Sequence, residues 1–570
     1  MSSRSRASSS KKPASQLARL RAIAAEFGAG LGAEKASLVE GLDRAAMPTA
    51  RAVSELHEVL CFLRAYPDDA ALLARVEAAL ERFERRADLR RFRAELDDTG
   101  IAGTDIYYTF FADTARWLAT RYPERLTIAW DYLADDSRLG ARLDLFATHG
   151  EKAGLEDYDL GVRGWIDRLK GPGETDAAYV LERWWRQPMS PETRQALYEE
   201  MQLLLKLAGG PGGPSRTTAK APGFPRHFQT DPLVRTRPDL LAAAAEAPKR
   251  VRAVSAAEGE RLVALARDAM VTRSRDLDVF CYGDPRDVRV VEWGEGLAFV
   301  AIGMQPARRL LLESVYGFLT MKNGVPIGYV LAAALHESAE MAYNVFEPWR
   351  GHEAAKVYGR ALATASHLLG AKAFSAPPYQ LGHDNKEGLE SGAFWFYQKL
   401  GFAPRDAAVG RLVARELATM RRRPSHRSSI ATLQKLSSGD VFLQRGAPKD
   451  DVMGVFPLGA VSLAITDALA RRFGADRERG LAVCSEEAAR TLSVEGLRGW
   501  TADERLAFQR WAPLVGLLPG LDRWSADERA ALAAVIRAKG GRYESDFVRA
   551  YDAHRPLREA LGRLARAAAK

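Results

Sequence analysis

Cysteine is scarce in this sequence, and the cysteines that are present lie far apart. The chain has three among 570 residues, at Cys61, Cys281 and Cys484. No two of them form a Cys-x-x-Cys pair, which excludes the usual spacing of zinc-binding and dithiol redox motifs. An odd number of separated cysteines predicts reduced thiols in a cytoplasmic protein, and each is expected to be a small buried side chain.

Long apolar runs are missing as well. No stretch of about 18 residues is both apolar and uncharged, so the sequence predicts neither a membrane-spanning helix nor a membrane partner. Residues 1–15 are rich in Ser, Arg and Lys and lack the apolar centre of a secretory signal. This composition predicts a solvated, disordered basic tail.

Several short catalytic motifs are also absent from the sequence. There is no Walker A loop, no dinucleotide-binding fingerprint and no Gly-x-Ser-x-Gly elbow. His336 and Glu337 lack the partner spacing of a metalloprotease helix. We therefore expect no bound metal, and no chemistry of the kinds that these motifs carry.

Positive charge exceeds negative charge only slightly. The 82 lysines and arginines are offset by 73 acidic residues, for a formal net charge of +9, and the two signs are interleaved along the chain. The one local cluster is Arg421–Arg423, with Arg427 close by. A basic surplus attracts nucleic acid, but this interleaving favours a solvated connection between domains over a nucleic-acid partner.

The remaining pattern indicates a multidomain globular protein. A chain of 570 residues with 47% hydrophobic and 27% charged residues is too long for a single core. Apolar residues at helical spacing predict an α-helical domain over 16–207. Clustered Gly and Pro over 208–250 predict a linker or extended arm. Helices and strands alternate over 251–423, and the mainly helical pattern returns over 424–570.

The central segment has a specific order of elements. Asn323-Gly324 is a strong hairpin signal because both residue types tolerate a positive φ, and Gly370 is placed to cap the end of a helix. The pattern predicts, in order, strands over 316–322, 325–334 and 340–346, a helix over 353–369, a strand over 371–375 and a helix over 389–400.

Part of this segment resembles a known superfamily. The third strand, the Arg350-Gly351 turn and the helix that follows are similar to the acyl-CoA-binding motif of the GNAT superfamily of N-acetyltransferases. The run Phe396-Tyr397-Gln398-Lys399-Leu400-Gly401-Phe402 resembles that superfamily's other well-known signature. The likeness covers residues 251–423 only. It implies an α+β acyltransferase domain, flanked here by mainly α-helical domains, that transfers an acetyl or longer acyl group from acyl-CoA to an unknown amine.

The resemblance also implies which residues bind the cosubstrate. In the family, backbone N–H groups at the start of the helix bind the CoA pyrophosphate, since unpaired N–H groups and the helix dipole favour anions. Val345 and Phe346 would pair with the pantetheine arm, and Tyr397 matches the tyrosine that protonates the departing thiolate. The residues that match the pyrophosphate cradle are Arg350, Gly351, His352, Glu353, Ala354 and Ala355.

Glu353 departs from the family pattern, because the family has a glycine at that position. A carboxylate near a helix N-terminus stabilises the free helix. Against pyrophosphate it would cost up to ~4 kcal/mol at an effective dielectric near 20. Two hypotheses therefore stay open: an enzyme, and a non-catalytic GNAT-like scaffold or binding module with a degenerate CoA site that engages a protein partner.

The sequence contains three candidates for the general base. Glu340 and Glu347 flank the predicted third strand, and His383 lies beside Asp384 in a polar loop. Any of the three could take a proton from an amine. The sequence leaves the acceptor, the role of the helical flanks and the oligomeric state undetermined.

Overall fold

The structure, a computed structural model, describes residues 3–494 and 496–568. Over those residues the chain is a mixed α/β protein with 27 α-helices, a three-stranded sheet and a nine-stranded sheet. Met1 and Ser2 of the predicted tail lie outside the described residues. The first helix begins at Ser3, so helix extends into the range 1–15 that the sequence assigned to the tail.

Helices dominate the N-terminal region, as their apolar spacing predicts. On the fourth helix, for example, Leu72, Val76 and Leu80 are buried in one core. The helices are α1 (Ser3–Ile23), α2 (Leu31–Asp43), α3 (Ala50–Ala65), α4 (Ala70–Glu81), α5 (Ala87–Arg91), α6 (Ala112–Arg121), α7 (Ser137–Gly140), α8 (Leu143–Phe146), α9 (Lys152–Asp157), α10 (Gly161–Leu169), α11 (Asp176–Trp185) and α12 (Pro191–Glu200).

A small antiparallel sheet is the part of this region that helical spacing did not predict. Its strands are β1 (Ile106–Tyr108), β2 (Leu126–Ile128) and β3 (Leu205–Leu207), with β3 in the middle. Branched and aromatic side chains favour strands when they can pack against a partner, and β1 pairs along its whole length with β3. This pairing brings Tyr108 to the edge of the central domain.

The Gly/Pro-rich segment runs along both neighbouring regions. Its one helix is α13 (Leu240–Ala243). Thr217 lies in this segment, and its hydroxyl is 2.8 Å from Nε2 of His57 on α3. Further along, the N–H of His227 donates to Oδ1 of Asn323 at 2.7 Å. The segment is therefore an ordered arm that contacts the helices before it and the sheet after it.

The nine-stranded sheet forms the centre of the chain. Neighbouring strands are antiparallel except for one parallel pair, Ser338–Val345 with Ala373–Ala376. The sheet extends past residue 423, because one of its strands, Val441–Gln444, comes from the segment that follows. In spatial order the strands are β4 (Arg250–Ala253), β5 (Gly283–Gly294), β6 (Leu297–Met304), β7 (Ser314–Lys322), β8 (Val325–Leu335), β9 (Ser338–Val345), β10 (Ala373–Ala376), β12 (Val441–Gln444) and β11 (Ala403–Pro404).

The predicted hairpin between β7 and β8 is present, with φ of 51° at Asn323 and 78° at Gly324. The sheet has two covered faces. One face packs against the helix Ala354–Leu369 and the C-terminal helices. The other packs against the helices Ala256–Val271 and Asp278–Cys281 and the N-terminal helices. The helices of the central segment are α14 (Ala256–Val271), α15 (Asp278–Cys281), α16 (Ala354–Leu369), α17 (Pro378–Leu381), α18 (Lys386–Ser391), α19 (Ala393–Lys399) and α20 (Ala407–Arg422).

Two of these helices correct the sequence prediction. The helix expected over 389–400 is broken at Gly392, which has φ 66° and ends α18 before α19 begins. Asn385 starts α18, since its side chain accepts from the N–H of Gly388 at 3.1 Å. A left-handed glycine and a separate N-cap turn the chain sharply, so Tyr397 lies on a short helix of its own.

The C-terminal region is helical and shares one core with the α16 face of the sheet. Thr501 with Glu504, and Ser525 with Glu528, form two capping boxes, each of which starts a helix. In the described chain, no helix combines the length and the apolar character that crossing a membrane requires. The helices are α21 (Ile430–Leu436), α22 (Leu458–Phe473), α23 (Arg477–Thr491), α24 (Ala502–Val515), α25 (Ala526–Lys539), α26 (Glu544–Ala553) and α27 (Arg555–Ala568).

Candidate functional site

The parallel strands β9 and β10 pair over only part of their length. Their register runs from Ser338 opposite Ala373 to Glu340 opposite Ser375. Beyond Glu340, β9 continues to Val345 with β8 on one side, and none of the described strands pairs with it on the other. A gap therefore opens in the sheet beside residues 341–345.

Backbone groups of β9 face this gap. The N–H of Phe346 donates to the carbonyl of Ile327 at 2.9 Å, which fixes the phase of the β8–β9 ladder. Because backbone direction alternates along a strand, Tyr343 and Val345 direct their N–H and C=O groups away from β8. Gln380 Nε2 donates to the Tyr343 carbonyl at 2.6 Å, and Arg350 Nε donates to the Val345 carbonyl at 3.0 Å. At this edge of β9, two side chains therefore make the hydrogen bonds that a neighbouring strand would otherwise make.

The gap opens into a cleft of about 710 Å³. Side chains of alternate β9 residues point to opposite faces of the sheet, which gives the cleft two sides. The α16 side consists of Tyr343, Val345, Arg350, Gly351, Ala354, Gln380, Phe396 and Tyr397. The β8 side consists of Tyr108, Arg275, Asp276, Leu277, Tyr329, Leu331, Ala342 and Asn344.

The start of α16 presents unpaired donors to the α16 side. The N-cap residue Glu353 makes no side-chain cap bond. Within the part of the chain that the structure describes, the N–H groups of Ala354, Ala355 and Lys356 have no acceptor. Orphan N–H groups and the positive end of a helix dipole together favour an anion. The Arg350 guanidinium lines the same end of the cleft.

Glu353 itself faces away from the cleft, contrary to the position expected from the sequence. Its side chain is buried, with Oε2 3.6 Å from Lys322 Nζ and Oε1 3.2 Å from Lys356 Nζ. Lys322 is only 2% exposed, and burial lowers the pKa of its ammonium while Glu353 opposes that shift. Two lysines compensate the carboxylate, so an anion in the cleft does not meet an uncompensated negative charge there.

Three other residues expected to bind the cosubstrate also lie outside the cleft lining. The His352 ring packs on Phe62, with ring centroids 4.8 Å apart. The Phe346 ring lies under the guanidinium of Arg273 at 3.6 Å, and Ala355 packs against the core. Of the eight residues predicted, those that line the cleft are Val345, Arg350, Gly351 and Ala354.

Tyr397 lies in the cleft and is 2% exposed. Its hydroxyl makes no well-aligned hydrogen bond in the described chain. Burial raises the pKa of Tyr397 above its usual range, although the nearby Gln380 side chain and Tyr343 backbone oppose the shift. The phenol is therefore protonated at neutral pH and can act as a proton donor in the cleft.

The three candidate bases are placed differently. Glu340 lies on the same strand face as Ala342 and Asn344, and burial, together with Asp440, raises its pKa to about 7. Glu347 is exposed on the turn after β9. His383 is half exposed, with Nε2 3.6 Å from Asp384 Oδ2. None of the three is in the cleft lining, but Glu340 is next along the strand face that lines it.

Sequence reasoning missed the charged groups of the β8 side. Asp276 accepts from the N–H of Phe111 at 2.9 Å and the hydroxyl of Thr114 at 3.0 Å. Burial raises the pKa of Asp276 to about 6. Arg275 donates to the Tyr329 hydroxyl at 2.9 Å. Both residues lie in the loop between α14 and α15, which carries no local motif.

A carboxylate at the rim links the two sides. Glu387 Oε1 is 2.7 Å from Arg350 Nη2, and Glu387 Oε2 is 3.9 Å from Arg275 Nη2. Glu387 is 56% exposed and belongs to the first turn of α18. One acidic side chain therefore lies between two guanidinium groups that come from opposite sides of the cleft.

Among residues 3–494 and 496–568, no group of three or more His, Cys, Asp or Glu side chains is arranged to hold a metal ion. The three cysteines are buried and unlinked.

No family model matches the chain, and neither a curated protein nor a solved structure is significantly similar to it.

Proposed function

We propose that the chain is an acyl-CoA-dependent N-acyltransferase with a GNAT-like central domain. The observation that carries this proposal is a single cleft that contains the unpaired edge of β9, the free N–H groups at the start of α16 and Tyr397. Each feature suits a different part of acyl-CoA, namely the pantetheine amides, the diphosphate and the sulfur atom.

The groups on the α16 side fit such a cosubstrate. The β9 edge offers backbone groups at Tyr343 and Val345, and the side chains that now hold their carbonyls belong to flexible residues, Gln380 and Arg350. An arm with amide groups can replace those bonds. The free N–H groups of residues 354–356 and the Arg350 guanidinium favour a diphosphate, since charge-assisted bonds to phosphate are strong.

The proposed reaction needs one proton acceptor and one proton donor. The bound thioester supplies the acyl group. The amine nitrogen forms a bond to the acyl carbon, the carbon–sulfur bond breaks, and the amine gives up a proton. Of the three bases expected from the sequence we assign Glu340, because it is next along the strand face that lines the cleft and burial raises its pKa to about 7. Tyr397, protonated and buried, donates to the departing sulfur.

The position of Glu353 bears on the non-catalytic alternative. That alternative rested on the Glu353 carboxylate, which would repel diphosphate if it faced the cleft. That carboxylate is directed to Lys322 and Lys356. A scaffold of this kind still predicts no affinity for CoA, so the same binding experiment separates the two functions.

The test is calorimetric titration of acetyl-CoA and free CoA into the full chain and into two variants of Ala354. Ala354→Glu places a carboxylate at the free N–H groups, and Ala354→Gln is a neutral side chain of the same shape. We expect roughly micromolar binding by the wild type and by Ala354→Gln. Ala354→Glu should bind about 10- to 100-fold more weakly, because one charge pair near 4 Å costs ~1–4 kcal/mol.

A weaker helix does not explain a loss of binding confined to Ala354→Glu, since a carboxylate in the first turn favours the helix and Ala354→Gln controls for the size of the new side chain. If wild type binds neither ligand, the proposal fails and the scaffold alternative gains. If both variants bind equally well, CoA binds somewhere other than the start of α16.

A further inference from the structure

Two consecutive residues on the β8 side carry opposite charges and are fixed by different neighbours. Arg275 is held by the Tyr329 hydroxyl on β8. Asp276 is held by Phe111 and Thr114, which belong to the N-terminal region. No salt bridge joins Arg275 to Asp276 in the described chain, although both line the cleft. The β8 side thus presents a separated cation and anion at fixed positions.

Arg275 has donors left for a ligand. A guanidinium has five N–H donors in a planar fork. Within the residues that the structure describes, only Nη1 of the Arg275 side chain makes a close bond, to Tyr329 at 2.9 Å, while Nη2 is 3.9 Å from Glu387. The side chain is 29% exposed. The two oxygens of a carboxylate match the free face of this fork.

Glu387 indicates that a carboxylate is tolerated at this place. Its oxygens lie between Arg275 and Arg350, yet the bond to Arg275 is long and the side chain is exposed. An exposed ion pair contributes little to stability, so a ligand carboxylate can displace Glu387 from Arg275 at little cost. Glu387 therefore acts as an internal competitor for an external carboxylate.

The other groups of the β8 side suit an ammonium group, which is positively charged and donates hydrogen bonds. Asp276 has acceptor capacity beyond the two donors that hold it, because a carboxylate offers about four lone-pair sites. Asn344 lines the same side, and its buried Oδ1 accepts no hydrogen bond in the described chain. The rings of Tyr108 and Tyr329 are also in the lining, and aromatic faces attract ammonium groups.

We propose that the acyl acceptor is a small amine that also carries a carboxylate, as an α-amino acid does. Arg275 binds the carboxylate in place of Glu387, and Asp276 with Asn344 binds the amino group. This inference rests on the proposed function, because it names the acceptor for the same cleft. The size limit follows from the cleft volume of about 710 Å³, which acceptor and pantetheine arm must share.

The test is thermal unfolding of the full chain with three matched sets of probes: the proteinogenic α-amino acids, their α-carboxamides, and their decarboxylated amines. We expect at least one amino acid to raise Tm by about 1–3 °C at a concentration well above its Kd. Its carboxamide and its decarboxylated amine should leave Tm unchanged, because each lacks the charge that Arg275 binds.

Variants assign the effect to the residues named. Arg275→Gln should abolish the shift, while Arg275→Lys, which keeps the charge but loses the fork, should retain a weaker one. Glu387→Gln should lower the Kd of the active amino acid about 2- to 5-fold by removing the competitor. Glu390→Gln is the matched control, since this neighbouring glutamate pairs with Lys386 and lies outside the cleft lining; it should leave the Kd unchanged.

The proposal is overturned if amines without a carboxylate stabilise the chain as well as amino acids do, or if no amino acid stabilises it. Equal affinity of wild type and Glu387→Gln would overturn the displacement of Glu387. Calorimetry with CoA keeps the two claims apart. An amino acid that binds to a chain without CoA affinity refutes the proposed function but leaves this site intact. CoA binding without amino-acid binding refutes this amino-acid site and leaves the proposed function intact.

Discussion

On the α16 side of the cleft the groups available to a ligand are mostly backbone N–H and C=O groups, whereas on the β8 side they are charged side chains. The first set is held by the end of α16 and the unpaired edge of β9. The second is held by bonds from β8 and from the N-terminal region. Most side-chain substitutions leave backbone groups in place, so the two sides should respond differently to mutation.

The two sides of the cleft should also differ in whether a substitution must keep the shape or the charge of a side chain. The α16 side should tolerate neutral replacements and fail when a new charge or a new backbone conformation is introduced. The β8 side should fail when a charge is removed even if the shape is kept, as in Arg275→Gln. Tyr397 and Arg350 are the exceptions on the α16 side, because Tyr397 contributes a hydroxyl and Arg350 a guanidinium.

Tyr397→Phe should have the largest effect. We expect turnover with acetyl-CoA to fall about 10³-fold, within the range for loss of a general acid, while the Kd of CoA changes less than about twofold. Tyr358→Phe is a matched control, because Tyr358 is a neighbouring buried tyrosine whose hydroxyl also lacks a partner in the described chain. Unchanged turnover in Tyr397→Phe would remove this phenol from the mechanism.

Glu353→Gln should affect stability and leave the cleft as it is. The change leaves Lys322, 2% exposed, without its carboxylate partner. Removing one member of a buried ion pair costs about 3–5 kcal/mol, which urea unfolding would detect. Glu295→Gln is the control, because that half-exposed carboxylate pairs with Lys356 at the surface, and its loss should cost under about 1 kcal/mol.

The affinity for CoA is the sharper readout of Glu353→Gln. If this carboxylate faced the diphosphate, neutralising it would tighten binding by up to about 10³-fold. With the carboxylate directed to two lysines, we expect a change of less than about threefold in the Kd of CoA at temperatures where the variant is folded. A large gain in affinity would mean that the α16 side contains a repulsive charge after all.

Much of the α16 side could be predicted from the sequence because its signals are local. Asn323-Gly324 and Gly370 adopt the positive φ that their positions demand. The helix expected over 353–369 differs from α16 (Ala354–Leu369) by one residue. A strand, a turn and a helix that follow one another in the chain carry their own spacing, caps and breakers.

The β8 side could not be predicted, because no local pattern brings its residues together. Tyr108 comes from β1, whose partner β3 is about a hundred residues later in the chain. Asp276 is fixed by Phe111 and Thr114 from the N-terminal region. The direction of Glu353 has the same origin, since Lys322 on β7 determines it. Such contacts depend on how separate elements pack, which residue spacing does not specify.

Glu340→Gln tests the base through pH. Below about pH 7 the carboxyl of Glu340 holds a proton and cannot accept one, since burial raises its pKa to about 7. Turnover of the wild type should therefore rise with pH through about 7 and then level off. The glutamine variant should lose about 10² in turnover and lose this rise. Glu347→Gln, an exposed neighbour, should keep both; a profile unchanged in Glu340→Gln would exclude this base.

Gly392→Ala should have the smallest effect and tests whether backbone conformation supports the α16 side. Gly392 has φ 66°, between α18 and α19, and a Cβ there would meet nothing within 4 Å. The substitution therefore probes conformation without a clash, and the left-handed region costs a side chain about 1–2 kcal/mol. Gly410, inside α20, also has open space around it but sits in a helix interior, where Ala is favoured by about 0.5–1 kcal/mol.

The two alanine variants should thus shift the urea midpoint in opposite directions. Gly392→Asn should lie between Gly392→Ala and wild type, because asparagine tolerates the left-handed region better than alanine does. If Gly392→Ala also lowers turnover while the Kd of CoA stays constant, the bend between α18 and α19 sets the position of Tyr397. If turnover stays constant as stability falls, the packing of Tyr397 against Tyr358 and Phe402 is enough to position it.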